Sequence, residues 1–190
     1  RLLGEHIEII TQFSSDLANI KADPGQIEQI IMNISINARD AMPDGGKLRI
    51  ETRNAEFGKD SIKNYPDTRP GIYAMLAMSD TGVGMEQSVQ SRIFEPFFTT
   101  KGRDKGTGLG LATVFGIVKQ NDGFVHVDSR PGQGTTFNIY LPVSDAEKRT
   151  DNRNKKSRLH GHETILLVED DPGVRELSRT ALERYNYRVV

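Results

Sequence analysis

The chain has 190 residues, a length that accommodates one domain with an appendage or two small domains. It carries 25 lysine and arginine residues against 26 aspartate and glutamate residues, so its net charge of −1 gives no overall field for attracting nucleic acid or an anionic membrane. It contains no cysteine, which excludes disulfides and thiol chemistry, and no apolar run approaches the roughly 20 residues of a membrane span.

The first part of the chain predicts a strand and then an amphipathic helix. Apolar and polar residues alternate over Ile7–Ile9, which is typical of a strand. Asp23 and Pro24 form a helix-start signal, and Gln26 stands where a capping box would place it. The predicted core face of this helix contains Ile27, Ile30, Ile31, Ile34, Ala38 and Ala41.

Four more strands and a second long helix are predicted before residue 142. The strands are Leu48–Thr52, Gly71–Ser79, Phe124–Ser129 and Thr135–Leu141, and the helix is Leu111–Gln120. Strands and helices mix without strict alternation, which favours an α+β fold, a two-layer sandwich, over a doubly wound sheet.

The composition changes after Pro142 and divides the chain. Residues 147–160 contain six basic and two acidic residues with no aromatic residue between them, which is typical of a solvated linker and not of a nucleic-acid patch. We therefore expect one domain over residues 1–145, a basic linker over 146–161 and a separate fragment over 162–190.

The first predicted helix carries a polar stripe. Asn33, Asn37 and Asp40 recur at spacings of four and three, so their side chains share one side of the helix. The stripe is either a solvated helix edge or the rim of a pocket, where an asparagine oxygen could ligate Mg²⁺.

Two glycine-containing segments lie further along the chain. Asp80–Gly84 follows a strand, and a carboxylate there could accept a hydrogen bond from an exocyclic amino group, although an ordinary turn explains the segment almost as well. Gly106–Leu111 opens the second helix, whose free amides favour an anion. This segment matches neither the P-loop nor the dinucleotide fingerprint.

An aromatic segment and a basic loop separate the two glycine segments. Phe94–Phe98 is followed by Thr99–Lys105, which includes Lys101, Arg103 and Lys105. This order indicates a lid over phosphates, whereas the simpler alternative is core aromatics followed by surface charges.

Five motifs in order carry a resemblance to a known family. They are Asn33–Asp40, Asp80–Gly84, Phe94–Phe98, Gly106–Gly110 and Gly132–Phe137. Over about residues 5–142 the chain resembles the catalytic ATP-binding domain of sensor histidine kinases, within the GHKL superfamily. The resemblance implies a Bergerat fold, in which a mixed sheet is backed by helices and ATP with Mg²⁺ lies between the first motif's helix and a mobile lid.

The resemblance also implies roles for individual residues. Asn37 would ligate Mg²⁺, Asp80 would read adenine, and Asn33 and Lys101 are the candidates for positioning phosphate, with no certain catalytic residue. The implied nucleotide-binding set is Asn33, Asn37, Asp80, Gly82, Gly84, Phe94, Phe98, Lys101, Gly106, Thr107, Gly108, Leu109, Gly110 and Thr135. In that set Phe94 and Phe98 would brace the lid, and Gly82 and Gly84 would give the base access.

One position departs from the family pattern. Many kinases carry a basic residue where Asp40 stands, so we expect no direct phosphate contact there. Arg39 is adjacent, but helical geometry predicts that it points in another direction.

The tail carries a second resemblance. The apolar run Thr164–Val168, the acidic residues Glu169–Asp171 and a following helix resemble the start of a response-regulator receiver domain, of flavodoxin-like fold. The resemblance implies that Glu169 and Asp170 form its Mg²⁺-binding pair and that Asp171 caps the helix. Since the phosphorylated aspartate and most of the sheet are missing, we expect no receiver function, and we expect the fragment to be disordered or mispacked in isolation.

The function implied by the first resemblance is supply of the γ-phosphoryl group of ATP to a histidine in two-component signalling. The acceptor would lie on an upstream dimerisation domain of the same parent, a homodimer in the cytoplasm or anchored to a membrane, with a receiver domain or response regulator as the next partner. The histidines of this chain are assigned no catalytic role. They are His6, His126, His160 and His162.

Two alternatives stay open. A GHKL ATPase would hydrolyse ATP with a glutamate general base, but that position holds Asn33, whose amide has no useful basicity. A degenerate nucleotide-binding module would transmit signals without catalysis, which the intact Asn37, Asp80 and glycine motifs argue against.

Overall fold

The computed structural model describes residues 4, 6–58, 69–101, 106–144, 163–168, 172–183 and 185–190. The chain divides into two compact units, Arg1–Ala146 and Glu147–Val190. The predicted linker over 146–161 lies outside the described residues.

The first unit is an α+β fold built on a five-stranded mixed sheet. Its elements are β1 (Ile7–Phe13), α1 (Pro24–Ala41), β2 (Gly46–Phe57), β3 (Gly71–Asp80), α2 (Gln87–Gln90), α3 (Gly110–Gln120), β4 (Phe124–Ser129) and β5 (Thr135–Pro142). The strand order is β1-β2-β3-β5-β4, with β1 parallel to β2 and the other neighbours antiparallel. The predicted fold class and every predicted strand of this unit are confirmed, although β2 runs five residues past Thr52.

The start of α1 confirms one part of the predicted helix signal and corrects another. Asp23 caps the helix, since its carboxylate accepts a hydrogen bond from the Gly25 amide at 2.7 Å. The capping box is wrong, because Gln26 Nε2 donates to Gln120 Oε1 and Gln26 Oε1 accepts from Asn121 Nδ2, each at 3.0 Å. The end of α3 thus provides Gln26 with amide partners.

The core lies between the sheet and the helices α1 and α3. Helix α1 buries residues four apart, Ile30, Ile34 and Ala38, as its periodicity predicts. They pack with buried residues of α3 and the central strands, among them Leu48, Met78, Val114, Val118 and Ile139.

The opposite face of the sheet carries a second cluster. Alternate residues of β3 belong to different clusters, since Met78 packs in the helical core and Tyr73 packs with aromatic residues on the far face. There Phe124 stacks on Tyr140 at 4.6 Å between ring centroids, and Phe57 meets both rings edge-on. Strand β3 is therefore buried on both faces, which fixes the position of its last residue, Asp80.

The second unit contains β6 (Thr164–Ile165), α4 (Pro172–Glu183) and β7 (Arg188–Val189), with β6 and β7 parallel. Strand β6 is shorter than the predicted Thr164–Val168, and the side chains of Leu166 and Val168 are 73% and 85% exposed. The predicted acidic residues Glu169–Asp171 lie outside the described residues, so the receiver assignment and the expected disorder stay predictions. Within the described ranges, no helix has both the length and the apolar character needed to cross a bilayer.

Candidate nucleotide-binding site

A cavity of about 750 Å³ opens between α1, the end of β3, α2 and the start of α3. Its volume lies within the roughly 300–1,000 Å³ of small-molecule sites. Of the residues predicted from the sequence, those that line it are Asn33, Asn37, Asp80, Gly84, Phe98, Lys101, Gly106, Thr107, Gly108, Gly110 and Thr135.

Three predicted residues are not among the lining residues. A Cβ on Gly82 would lie 2.6 Å from the Ala41 carbonyl oxygen, so this glycine lets the loop approach α1. Phe94 packs against Phe115 at 5.1 Å between ring centroids, and Leu109 is the N-cap of α3. Gly82 and Phe94 thus pack against elements that line the cavity, and Leu109 stands at the start of one of them.

Asp80 occupies the end of the central strand and is held by two backbone amides. Its Oδ1 accepts hydrogen bonds from Gly82 N at 2.8 Å and Thr135 N at 3.3 Å, and the residue is only 8% exposed. Burial raises the pKa of the Asp80 carboxyl, an effect that the two backbone hydrogen bonds oppose without cancelling. Because both bonds use Oδ1, the second carboxylate oxygen keeps its acceptor capacity for a ligand.

The turn between β4 and β5 packs directly on the loop after Asp80. Gly134 has φ +76°, and a Cβ on it would lie 2.0 Å from the Asp80 carbonyl oxygen. A Cβ on Gly84, which has φ +67°, would lie 1.9 Å from the Arg130 carbonyl oxygen, and Gly132 N donates to Val83 O at 2.7 Å. Glycine at 84 therefore has a packing reason that is independent of any ligand.

The aromatic segment is joined to the start of α3 by close backbone packing. Phe97 N donates to Gly108 O at 2.9 Å, and a Cβ on Gly108 would lie 2.3 Å from the Phe97 carbonyl carbon. The neighbouring Phe98 ring lies under the Arg92 guanidinium, 4.4 Å from its centroid, and Arg92 pairs with Glu95 at 3.1 Å. The segments on either side of the predicted lid are thus in direct backbone contact with each other.

A cluster of three charged side chains lines the cavity. Lys101 Nζ lies 2.6 Å from Asp40 Oδ2, while Arg39 donates to Asp40 Oδ1 from Nη2 at 2.7 Å and from Nε at 2.9 Å. Burial alone would raise the pKa of Asp40, but the hydrogen bonds and charges of Lys101 and Arg39 together hold it below its ordinary value. Arg103 and Lys105 lie outside the described residues.

The placement of Arg39 corrects the sequence prediction. Arg39 lines the cavity, although its helical position predicts another direction. The side chain is long, and its guanidinium bends back to the carboxylate of the next residue, which brings it to the polar side of α1.

Residues 22–145 match the family model described as histidine kinase-, DNA gyrase B-, and HSP90-like ATPase. The chain belongs to this family. It is 44% identical over 198 residues to the sensor kinase CckA of Brucella abortus (strain 2308), an alignment that covers 100% of this chain and 21% of that protein. The chain thus spans between 18% and 38% of the length of the curated relatives it matches.

Solved structures agree with this assignment. The mycobacterial sensor histidine kinase MprB matches with a TM-score of 0.56 and 25% identity, over 73% of this chain and 83% of that one. Full-length ShkA in complex with AMPPNP matches with a TM-score of 0.56 and 26% identity, over 96% of this chain and 34% of that one.

The described residues could hold Mg²⁺ only if a bound molecule supplies further oxygen atoms to coordinate the ion. Asn37 lines the cavity one turn from Asn33, and amide oxygens are ligands that Mg²⁺ accepts. Among the described residues, no group of three or more histidine, cysteine, aspartate or glutamate side chains could hold a metal ion. An ion at Asn37 would therefore take its other ligands from phosphate oxygens and water.

The sequence reasoning missed the apolar part of the lining. It consists of Ile36, Ala41, Val83, Met85, Val89, Ile93, Leu111 and Phe137. Helical and strand periodicity predicts that such residues face the interior, but it does not distinguish residues that border a cavity from residues of a closely packed core. Only the packing of α1 and α3 on the sheet shows which of them border open space.

Proposed function

We propose that this chain binds ATP with Mg²⁺ and presents the γ-phosphoryl group to a histidine on another domain of its parent protein. The observation that carries the proposal is a single cavity whose lining combines a buried carboxylate and apolar side chains with the asparagines of α1, a helix N-terminus and two cations.

The part of the cavity around the buried Asp80 suits adenine. The Asp80 carboxylate would accept a hydrogen bond from the exocyclic amino group, while the apolar lining contacts the faces of the ring. Thr135 supports this arrangement through its amide, and Gly82 and Gly84 allow the surrounding loop to pack tightly.

The asparagines of α1 and the start of α3 suit a triphosphate. Asn37 would hold Mg²⁺, which neutralises phosphate charge and aligns the β- and γ-phosphates when bound, and Asn33 would support the phosphates one turn earlier. The segment Gly106–Gly110 brings the N-terminal amides of α3 to the cavity, where they favour an anion. Lys101 would contact the phosphates, and Phe94 and Phe98 would support the segment that carries Lys101.

The carboxylates of the described lining favour transfer to an external acceptor over hydrolysis. They are Asp40 and Asp80. We assign Asp80 to the adenine base, so its carboxylate is not available to a water at the γ-phosphate, and Asp40 is bonded to two cations that lower its pKa, which makes it a poor proton acceptor. Asn33, which stands where hydrolytic relatives would have a base, has only an amide. These features disfavour the ATPase alternative.

The proposed partners follow from the transfer step. The acceptor histidine would lie on a dimerisation domain of the same parent, which we propose to be a homodimer working on cytoplasmic ATP. The phosphoryl group would then pass to a receiver domain or response regulator. Relatives whose names describe a sensor kinase and a signal transduction histidine-protein kinase support this order of transfer.

Three measurements test the proposal. ATP should bind the 190-residue chain in the presence of Mg²⁺, and the isolated chain should hydrolyse it slowly. When mixed with ATP and the histidine-bearing domain of its parent, the chain should label that domain with phosphate. Absence of ATP binding would favour a degenerate module, and rapid turnover retained in Asn33→Ala would favour an ATPase.

A further inference from the structure

The lining of the cavity contains one carboxylate between two cations. Asp40 lies near the end of α1 and uses one oxygen for the Arg39 guanidinium and the other for the Lys101 ammonium. The three side chains are partly exposed, by 25% for Asp40, 39% for Arg39 and 32% for Lys101. Helix α1 is thereby linked to a residue 61 positions later in the chain.

Electrostatics gives this arrangement a specific consequence. Two like charges held close together in a cavity repel each other, and a carboxylate between them offsets that repulsion while leaving a net positive cluster. An ammonium has three N–H donors, so Lys101 can hold Asp40 and a phosphate at the same time.

A contribution to folding stability does not by itself explain this cluster of charges. Ion pairs that are partly exposed contribute little to folding stability. Ordering two long, flexible side chains before a ligand arrives does benefit binding, because the ligand then does not have to restrict them.

We propose that Asp40 is a positioning residue, which holds Lys101 and Arg39 in place for the phosphates of the ligand without itself contacting the nucleotide. The inference rests on the proposed function, since it assumes that the bound ligand carries phosphates. It gives a role to the one position where the sequence departs from the basic residue of many kinases.

The test compares ATP with adenosine, each titrated calorimetrically into the 190-residue chain with Mg²⁺. Asp40→Asn should weaken ATP binding by about tenfold, the effect of one lost charge-assisted hydrogen bond, and leave adenosine binding unchanged. Asp40→Glu, which keeps the charge, should restore most of the ATP affinity. The matched control is Glu8→Gln, which breaks the exposed 3.0 Å pair between Glu8 and Lys47 outside the cavity and should change neither affinity.

A double-mutant cycle identifies the side chain through which Asp40 acts. Lys101→Ala should cost less ATP affinity in the Asp40→Asn background than in the unmodified chain, because Lys101 is no longer held in place. Fully additive losses would overturn the inference.

Three other results for Asp40→Asn would also overturn the inference. The first is an unchanged ATP affinity, and the second is tighter ATP binding, which would mean that Asp40 competes with phosphate for Lys101. The third is an equal loss of adenosine binding, which would mean that the substitution damages the fold. If the unmodified chain binds no ATP, the proposed function fails as well. Normal ATP binding by both the unmodified chain and Asp40→Asn would remove only the role of Asp40.

Discussion

Asp80 and Thr135 lie opposite each other on neighbouring strands β3 and β5, and the Thr135 amide donates to the Asp80 carboxylate at 3.3 Å. With the Gly82 amide at 2.8 Å, this bond orients a carboxylate that is almost fully buried. The sheet register therefore determines where the proposed adenine-reading group stands.

We predict that Asp80→Asn reduces ATP affinity by about tenfold, because a charged acceptor for the adenine amino group is replaced by an amide. The substitution should also reduce the preference for ATP over inosine triphosphate, whose base carries a carbonyl oxygen at the same place and can accept from the new amide. Competition titrations with the two nucleotides measure the change. An unaltered preference would contradict the assignment of Asp80 to the base.

The same substitution should stabilise the protein at neutral pH. Burial raises the pKa of Asp80 in the folded state above its ordinary value of 3.8, so keeping the carboxylate ionised costs folding free energy at pH 7. Asp80→Asn removes that cost and should raise the melting temperature. As the pH falls through the raised pKa, the folded carboxyl gains a proton and the advantage of the variant should shrink. Thermal melts of both proteins between pH 7 and pH 4 measure this, and an advantage that grows towards acid pH would contradict it.

The turn between β4 and β5 offers a matched pair of glycines. Gly132 and Gly134 have nearly the same backbone angle, φ +75° and +76°, but a Cβ on Gly132 meets nothing within 4 Å whereas one on Gly134 would lie 2.0 Å from the Asp80 carbonyl oxygen. Gly132→Ala should cost about 1 kcal/mol of unfolding free energy, from backbone strain alone. Gly134→Ala should cost about 3 kcal/mol or more, because the turn must also move away from Asp80.

Denaturant unfolding of the two glycine variants separates strain from packing. Gly134→Ala should also weaken ATP binding, since it displaces the loop that holds Asp80, while Gly132→Ala should bind normally. Equal losses of stability would show that the turn does not pack on the loop as described.

The sequence predicts much of this architecture because its signals are local. Alternation marks the strands, and apolar residues four apart mark the buried face of α1. Pairings between distant residues carry no such signal. Gln26 contacts Gln120 across 94 positions and not its own helix start, and Asp40 meets Lys101 across 61 positions.

The candidate site also contains residues that local sequence patterns predict and residues that they do not predict. Its polar residues are predictable because they form five ordered motifs, and most of them line the cavity. The sequence pattern does not distinguish its apolar lining residues, such as Ile36 and Leu111, from core residues. They line a binding cavity only because α1 and α3 leave space between them. The steric role of Gly134 also depends on a strand pairing that no local pattern reveals.

The last prediction concerns the metal. If Asn37 holds Mg²⁺ beside the phosphates, Asn37→Ala should reduce ATP affinity by about tenfold when Mg²⁺ is present and change it little when the ion is removed with a chelator. Titrations of ATP into both proteins, with and without the ion, give the four affinities needed. Adenosine provides the control, because it carries no phosphate to share the ion and should bind both proteins equally. A loss of ATP affinity that is the same with and without Mg²⁺ would assign Asn37 to a direct contact with the nucleotide and not to the metal.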